Sequence, residues 1–333
     1  MTAVTQRTAA MMGVAALLTA GIAACTTRYG ATLVRPSDPV VLAGSALPKL
    51  VNQVPSSVVA FAWDGSKWSQ VPVQVDERDL VNPGQIYNRP AAKWAKVPDG
   101  SPYEILAYTP PAVRPGYRSY STFTPPDRNP KLDANDEVSF LAADLGQQAP
   151  AGANPSGVTT STRQVVKATD PIAPEANGYL YLYSSPILTG GAKTSGVSYT
   201  FSLNSGDYKT TYRMGVASNA PNNLAGPNPE RSTIATPAYR QTYADRWLND
   251  SLAVTGSGSS GADLLDRAIY PVVNAGCARN EDTYDNTVSA SPYEGAFITN
   301  VSGPVRAIRS HIGANSFLYT VQTEFFYPGR RTR

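Results

Sequence analysis

The chain has 333 residues, 26 of them Gly and 28 Pro, and its 28 Lys and Arg against 25 Asp and Glu leave a formal charge of +3. So small a balance excludes a nucleic-acid binder or a protein held to membranes by charge alone, and a single His with two Cys excludes multi-histidine metal centres and most zinc sites. The Gly and Pro content, with 19 Tyr against 8 Phe, predicts an all-β fold, a large antiparallel β-sandwich with long loops and one or two short helices.

Arg7 followed by the apolar run from Ala9 to Ala24 predicts a signal peptide over residues 1–24, too short and too rich in small residues for a membrane span. Its end, Ile22-Ala-Ala-Cys25, looks like a bacterial lipoprotein processing box, which makes Cys25 the expected lipidation site and mature N-terminus. The protein is therefore expected to be exported, either held at the cell envelope through a lipid anchor in the membrane or secreted. With Cys25 lipidated, Cys277 has no partner for an internal disulfide. Residues 25–49, with Pro36, Pro39 and Pro48, read as a tether, and 50–333 as the β-sandwich domain.

Ser57 to Trp63 and Ser66 to Val75 flank Asp64-Gly65 and predict a hairpin. Pro72 lacks an N–H, so this second strand is expected to lie at an edge or to bulge there. The run Asp76-Glu-Arg-Asp79 reads as a charged strand exit with local ion pairs. Residues 82–127 are irregular, with one short strand at Glu104 to Tyr108. Asp133, Asn135, Asp136 and Glu137 crowd oxygen donors into one turn, a set suited to calcium, although an Asx turn opening the strand Val138 to Ala142 accounts for the same residues.

The Pro/Gly/Ser-rich stretch 149–161 is a candidate internal boundary. Tyr179, Tyr181 and Tyr183 alternate with Leu180 and Leu182 on a predicted strand, a stripe that serves either a core or sugar stacking. Val197 to Leu203 and Asp207 to Met214 predict a second hairpin. Ala244 to Leu252 and Gly261 to Ala268 are the two predicted helices. Cys277, beside Arg279 in a loop, reads as a bystander rather than a reactive thiol.

Gly303 to Tyr327 predicts the last hairpin and holds the only histidine, His311. A turn at Gly313 to Ser316 pairs Ile312 with Phe317 and Ile308 with Val321. Alternation then puts Ile308 on an apolar face and Arg309, His311, Gln322 and Glu324 on a polar one. The polar face is either wet or a ligand-binding face whose cation, imidazole and amide suit the hydroxyls and carboxylates of a sugar acid. The basic tail from Gly329 to Arg333 has no strand character and suggests a shortened member of a longer architecture.

Four blocks, Val71-Pro-Val-Gln-Val-Asp-Glu-Arg-Asp79, Leu132-Asp-Ala-Asn-Asp-Glu-Val138, Tyr208-Lys-Thr-Thr-Tyr212 and Gly303-Pro-Val-Arg-Ala-Ile-Arg309, together resemble a group of secreted microbial proteins with no established activity. That resemblance implies an exported β-rich fold and supplies no catalytic residues. The Pro-Val-Gln and Gly-Pro-Val-Arg phrases are also similar to those of exo-acting rhamnogalacturonan lyase-like proteins, which implies polysaccharide as the ligand class.

Glycoside hydrolysis needs only two carboxylates, and polysaccharide β-elimination needs a base such as Tyr or His plus a cation for the uronate. Arg309 and His311, two apart on one face, are the catalytic candidates for elimination. Carbohydrate binding, possession of a lyase or hydrolase activity, and a purely structural envelope role are the three functional expectations, with binding placed first.

Overall fold

The computed structural model describes residues 27–33, 35–81, 104–109, 118–119, 127–202, 231–244, 248–256, 258–265, 272–274, 277–279, 296–312 and 321–332. The fold is all-β: every pairing between strands among these residues is antiparallel, and no helix reaches seven residues.

The first core lies between two sheets. One has the order β1 (Pro39–Ala43), β8 (Glu137–Leu141), β4 (Gln74–Asp76); the other has β3 (Trp68–Val71), β2 (Val58–Trp63), β10 (Asn177–Ser184), β9 (Thr159–Thr169). Val75, Val138 and Phe140 from the first sheet pack with Ala60, Val71, Leu180 and Leu182 from the second. Pro72 separates β3 from β4, so the chain leaves one sheet and enters the other at the residue that cannot donate to a ladder.

A second pair of sheets builds the other core. The order β7 (Arg118–Ser119), β17 (Ala296–Ser302), β18 (Ala307–Ile312), β19 (Val321–Tyr327), β20 (Arg330–Thr332) packs against β11 (Ser198–Thr200), β12 (Ser232–Ala235), β13 (Tyr239–Ala244), β14 (Leu248–Val254). Tyr199, Ile234 and Tyr243 meet Ala307 and Phe326 there. On its opposite face the five-stranded sheet buries Val301 and Ile308 against Tyr108, which belongs to the ribbon of β5 (Arg78–Val81) and β6 (Ile105–Tyr108). A last ribbon pairs β15 (Val272–Asn274) with β16 (Cys277–Arg279).

Four expectations change. Leu248 to Leu252, predicted helical, lie in β14, where Gln241 pairs with Leu252 and Thr242 with Ser251; Gly261 to Leu265 is not helical, and Asp263 bridges Ala253. Local helical preference loses to pairing with β13, a tertiary contact that propensity does not encode. The segment 25–49, predicted as a tether, is built into the fold from Thr27 onward: Ala31 and Leu33 are buried, and β1 pairs with β8. The basic tail forms β20, with Tyr327 paired to Arg330 across Pro328-Gly329. The stretch 149–161 covers a sheet rather than dividing the chain, as Ala149 N donates to Tyr181 Oη and Tyr183 Oη donates to Asn154 Oδ1.

The register of the last hairpin is also corrected. Ile312 pairs with Val321, Ile308 with Phe325 and Arg309 with Glu324, four residues further along β19 than the turn at Gly313 to Ser316 allows. An even shift leaves every side chain on its predicted face, so alternation cannot detect it. Residues 313–320, including the predicted turn, lie outside the described residues.

Candidate functional site

Three of the four sequence blocks converge on one guanidinium. Gln74 and Asp76 stand on β4, Glu137 opens β8, and Arg306 follows the turn at Gly303. Arg306 Nε donates to Asp76 Oδ2 at 2.9 Å, Nη2 to Glu137 Oε2 at 2.6 Å and Nη1 to Tyr327 Oη at 3.0 Å. Its face lies 4.7 Å from the Phe325 ring centroid. Gln74 Nε2 donates to Asp76 Oδ1, while its Oε1 accepts from the backbone N–H groups of Val305 and Arg306. Arg78 and Tyr108 donate to the two oxygens of Glu137. A Cβ at position 303 would collide with the Gln74 amide, so this close approach needs glycine.

The cluster balances Arg78 and Arg306 against Asp76 and Glu137. Burial pushes the Glu137 carboxyl upward, but the charge of Arg306 and the hydrogen bonds from Arg306 and Tyr108 outweigh it and hold the group below its ordinary range. Burial works against the Arg306 charge, and Asp76, Tyr327, Tyr108 and Glu137 more than offset it. The Arg306 side chain is 2% exposed, and its donors are occupied by protein. This cluster ties three sheets together. The run Asp76 to Asp79 therefore makes long-range pairs instead of local ones: Asp76 with Arg306, Arg78 with Glu137, and Asp79 with Arg128. The fourth block, Tyr208 to Tyr212, lies outside the described residues.

Of the four candidate calcium ligands, Asp133, Asp136 and Glu137 hydrogen-bond within this framework, while Asn135 Oδ1 is buried without a partner. Asp136 accepts from the backbone N–H groups of Arg78 and Asp133, and Asp133 from the N–H of Asn135 and the amide of Asn129. Burial pushes Asp136 up to about 7. Among the described residues, no group of three His, Cys, Asp or Glu is placed to hold a metal ion. These contacts make the Asx turn weighed above.

Arg309 and Glu324 do share a face with the backbone positions of His311 and Gln322, but that face is not wet. Arg309 and Glu324 are 1% and 2% exposed and pair at 3.0 Å. The guanidinium lies 4.0 Å from the Tyr243 ring centroid, and Tyr243 Oη donates to Glu324 Oε2 at 2.7 Å. The packing of β11–β14 over this face buries what the hairpin alone leaves open. The side chains of His311 and Gln322 lie outside the described residues, as does Cys25.

Accessible recognition chemistry lies elsewhere, on the outer face of β3-β2-β10-β9. Trp63 and Trp68 are cross-strand partners, with ring centroids 5.1 Å apart. Trp68 meets Tyr181 edge-on at 4.9 Å. Arg163 stacks over Tyr181 at 5.1 Å and Lys167 over Tyr179 at 5.9 Å. Trp63, Trp68 and Tyr179 stay half-buried while Tyr181 and Tyr183 are covered. A groove of about 470 Å³ beside Tyr179 is lined by Gln147, Gln148, Glu175 and Asn177. At the β3 edge, an open cleft of about 540 Å³ is lined by Arg28, Tyr29, Ser69, Gln70, Asp144 and Lys193, among others.

No protein-family model matches the chain, no curated protein matches it, and no solved structure matches it. The reading of function therefore rests on the geometry of the site.

The Trp63–Trp68 pair escapes sequence reading because a two-residue Asp64-Gly65 turn would pair Trp63 with Ser66. Asp64 Oδ1 instead accepts from the N–H groups of Ser66 and Lys67 and closes a four-residue loop. Arg28 and Tyr29 were hidden in the expected tether. The usable signal was Tyr29 between Arg28 and Gly30, an aromatic in an otherwise small and polar stretch.

Proposed function

We propose that the protein is an exported, lipid-anchored envelope protein that binds carbohydrate. The observation that carries this reading is the half-buried aromatic face of Trp63, Trp68 and Tyr179, with Lys167 stacked on Tyr179, Arg163 on the neighbouring Tyr181, an amide-rich groove beside Tyr179 and a polar cleft at the β3 edge. Flat rings present C–H-binding faces to sugars, and side-chain amides bond pairs of hydroxyls. Recognition is favoured over cleavage because Asp144 is the only carboxylate among the described residues lining the 540 Å³ cleft, whereas hydrolysis needs two. Burial raises the Tyr29 phenol, which makes it a poor base for elimination. Attachment is assigned to lipid on Cys25, from the Ile22-Ala-Ala-Cys25 sequence that follows the apolar run.

Trp68→Ala is expected to weaken binding to a panel of immobilised neutral and acidic polysaccharides by about tenfold, the scale of one lost aromatic stack. Leu264→Ala, exposed beside β14 and away from this face, is expected to leave it unchanged. Equal retention of the two variants rejects the aromatic face. Cys25→Ser is expected to leave an unprocessed precursor and abolish fatty-acid labelling; labelling at the parent level rejects the anchor.

A further inference from the structure

We infer that the cleft at the β3 edge is an anion subsite that takes the carboxylate of a uronate residue, with the neighbouring sugar ring lying on Trp68. The inference rests on the carbohydrate reading above. Arg28 and Lys193 are both exposed and line this one cleft, and neither forms an ion pair with a described residue. By contrast Arg306 and Arg309 are saturated by buried carboxylates. Two cations against the single carboxylate of Asp144 leave the cleft net positive. A guanidinium, set 5.4 Å from the Tyr29 ring centroid, and an ammonium lining one cleft suit a carboxylate, and the charge-assisted bonds they form are the strong ones. Ser69, Gln70, Thr194 and Ser195 add hydroxyl and amide groups around it, the partners a sugar ring needs.

The cleft and the aromatic face are continuous. Trp68 and Gln70 are two apart on β3, so they share a face about 7 Å apart. Gln70 Nε2 donates to Thr189 O at 3.0 Å, which fixes the side chain between the two subsites. The concave shape and the surrounding hydroxyls favour a sugar ring over the flat headgroup plane of a membrane.

Asp144 tunes the subsite. Burial pushes its carboxyl up to about 6, with Arg28 pulling it back down. It is faced by Arg28 and Tyr29 from the N-terminal segment and by Lys193 across the cleft. Below that value the carboxyl is neutral and no longer competes for the cations, so uronate binding tightens as pH falls from 7 to 5.

The experiment titrates the full chain with a β-1,4-linked tetraglucuronate and with cellotetraose, the same backbone without charge. Tetraglucuronate is expected to bind at least about tenfold more tightly, the scale of one charge-assisted bond. Arg28→Ala/Lys193→Ala is expected to remove that preference, lowering tetraglucuronate affinity to about that of cellotetraose. Asp144→Asn is expected to bind tetraglucuronate at pH 7 as the parent does at pH 5. A parent with no preference for the uronate, or a double variant that retains it, overturns the inference while binding sensitive to Trp68→Ala leaves the carbohydrate reading standing. Loss of all oligosaccharide binding in the parent overturns both. Anionic phosphatidylglycerol vesicles form a separate arm: capture of vesicles but not tetraglucuronate, lost in the double variant, assigns the cleft to a headgroup and also overturns the inference.

Discussion

Arg306→Ala is expected to destabilise the protein by about 3–5 kcal/mol, the scale of stranding a buried charge partner. The substitution leaves Asp76 and Glu137 facing each other at the junction of three sheets, with Tyr327 Oη short of a donor. Arg306→Lys keeps the charge but not the fork that reaches two carboxylates and a phenol, and is expected to fall between parent and Ala. Urea denaturation of the three proteins measures this, and a loss under about 1 kcal/mol for Arg306→Ala would show that the network contributes little. The Glu137 share depends on pH. Its folded pKa lies below the unfolded one, so its contribution is complete above the ordinary glutamate value of about 4.3 and is lost as pH falls through the lower folded value. The gap in stability between parent and Glu137→Gln is therefore expected to narrow in acid, once the parent side chain is also neutral.

Arg309→Ala is expected to cost about 3–5 kcal/mol as well, because it leaves Glu324 buried with its charge uncompensated and strips the stack on Tyr243. Ile308→Ala, one residue away on the opposite face, is expected to cost about 2–5 kcal/mol for the buried side chain it truncates. Both substitutions are thus costly, which is the distinctive outcome for a sheet covered on each side. A solvent-facing Arg309 would instead cost within about 0.5 kcal/mol. Thermal melts of the two variants decide it: an Arg309→Ala protein that melts like the parent would place that face in water after all.

The two buried arginines show how far the amino-acid order carries. Alternation from Ala307 to Ile312 correctly assigns Ile308 and Arg309 to opposite faces, because side-chain direction along a strand is a local, period-two property. The same alternation is blind to an even shift in pairing, and it holds no information on what covers each face. Arg309 acquires its meaning from Tyr243, 66 positions earlier in the numbering, and from Glu324 at a pairing distance the expected turn did not allow. For the acidic turn, a cluster of oxygen donors suits calcium and a framework of capped N–H groups equally well, and the sequence does not show that Arg78 and Arg306 bond to Asp136 and Glu137 from other segments.

The sequence by itself determined the all-β class, the strand at Tyr179 to Tyr183 and the break at Pro72, since Gly and Pro punctuation and period-two patterning act over a few residues. Only the tertiary structure decided that Leu248 to Leu252 pair as a strand, that Ala31, Leu33 and Leu47 enter the core, that Asp76, Glu137 and Arg306 share one charge network, and that Trp63 stands opposite Trp68. Each of those depends on which distant segment supplies the partner. Pairing and burial energies are set by that partner, and local propensity does not encode it.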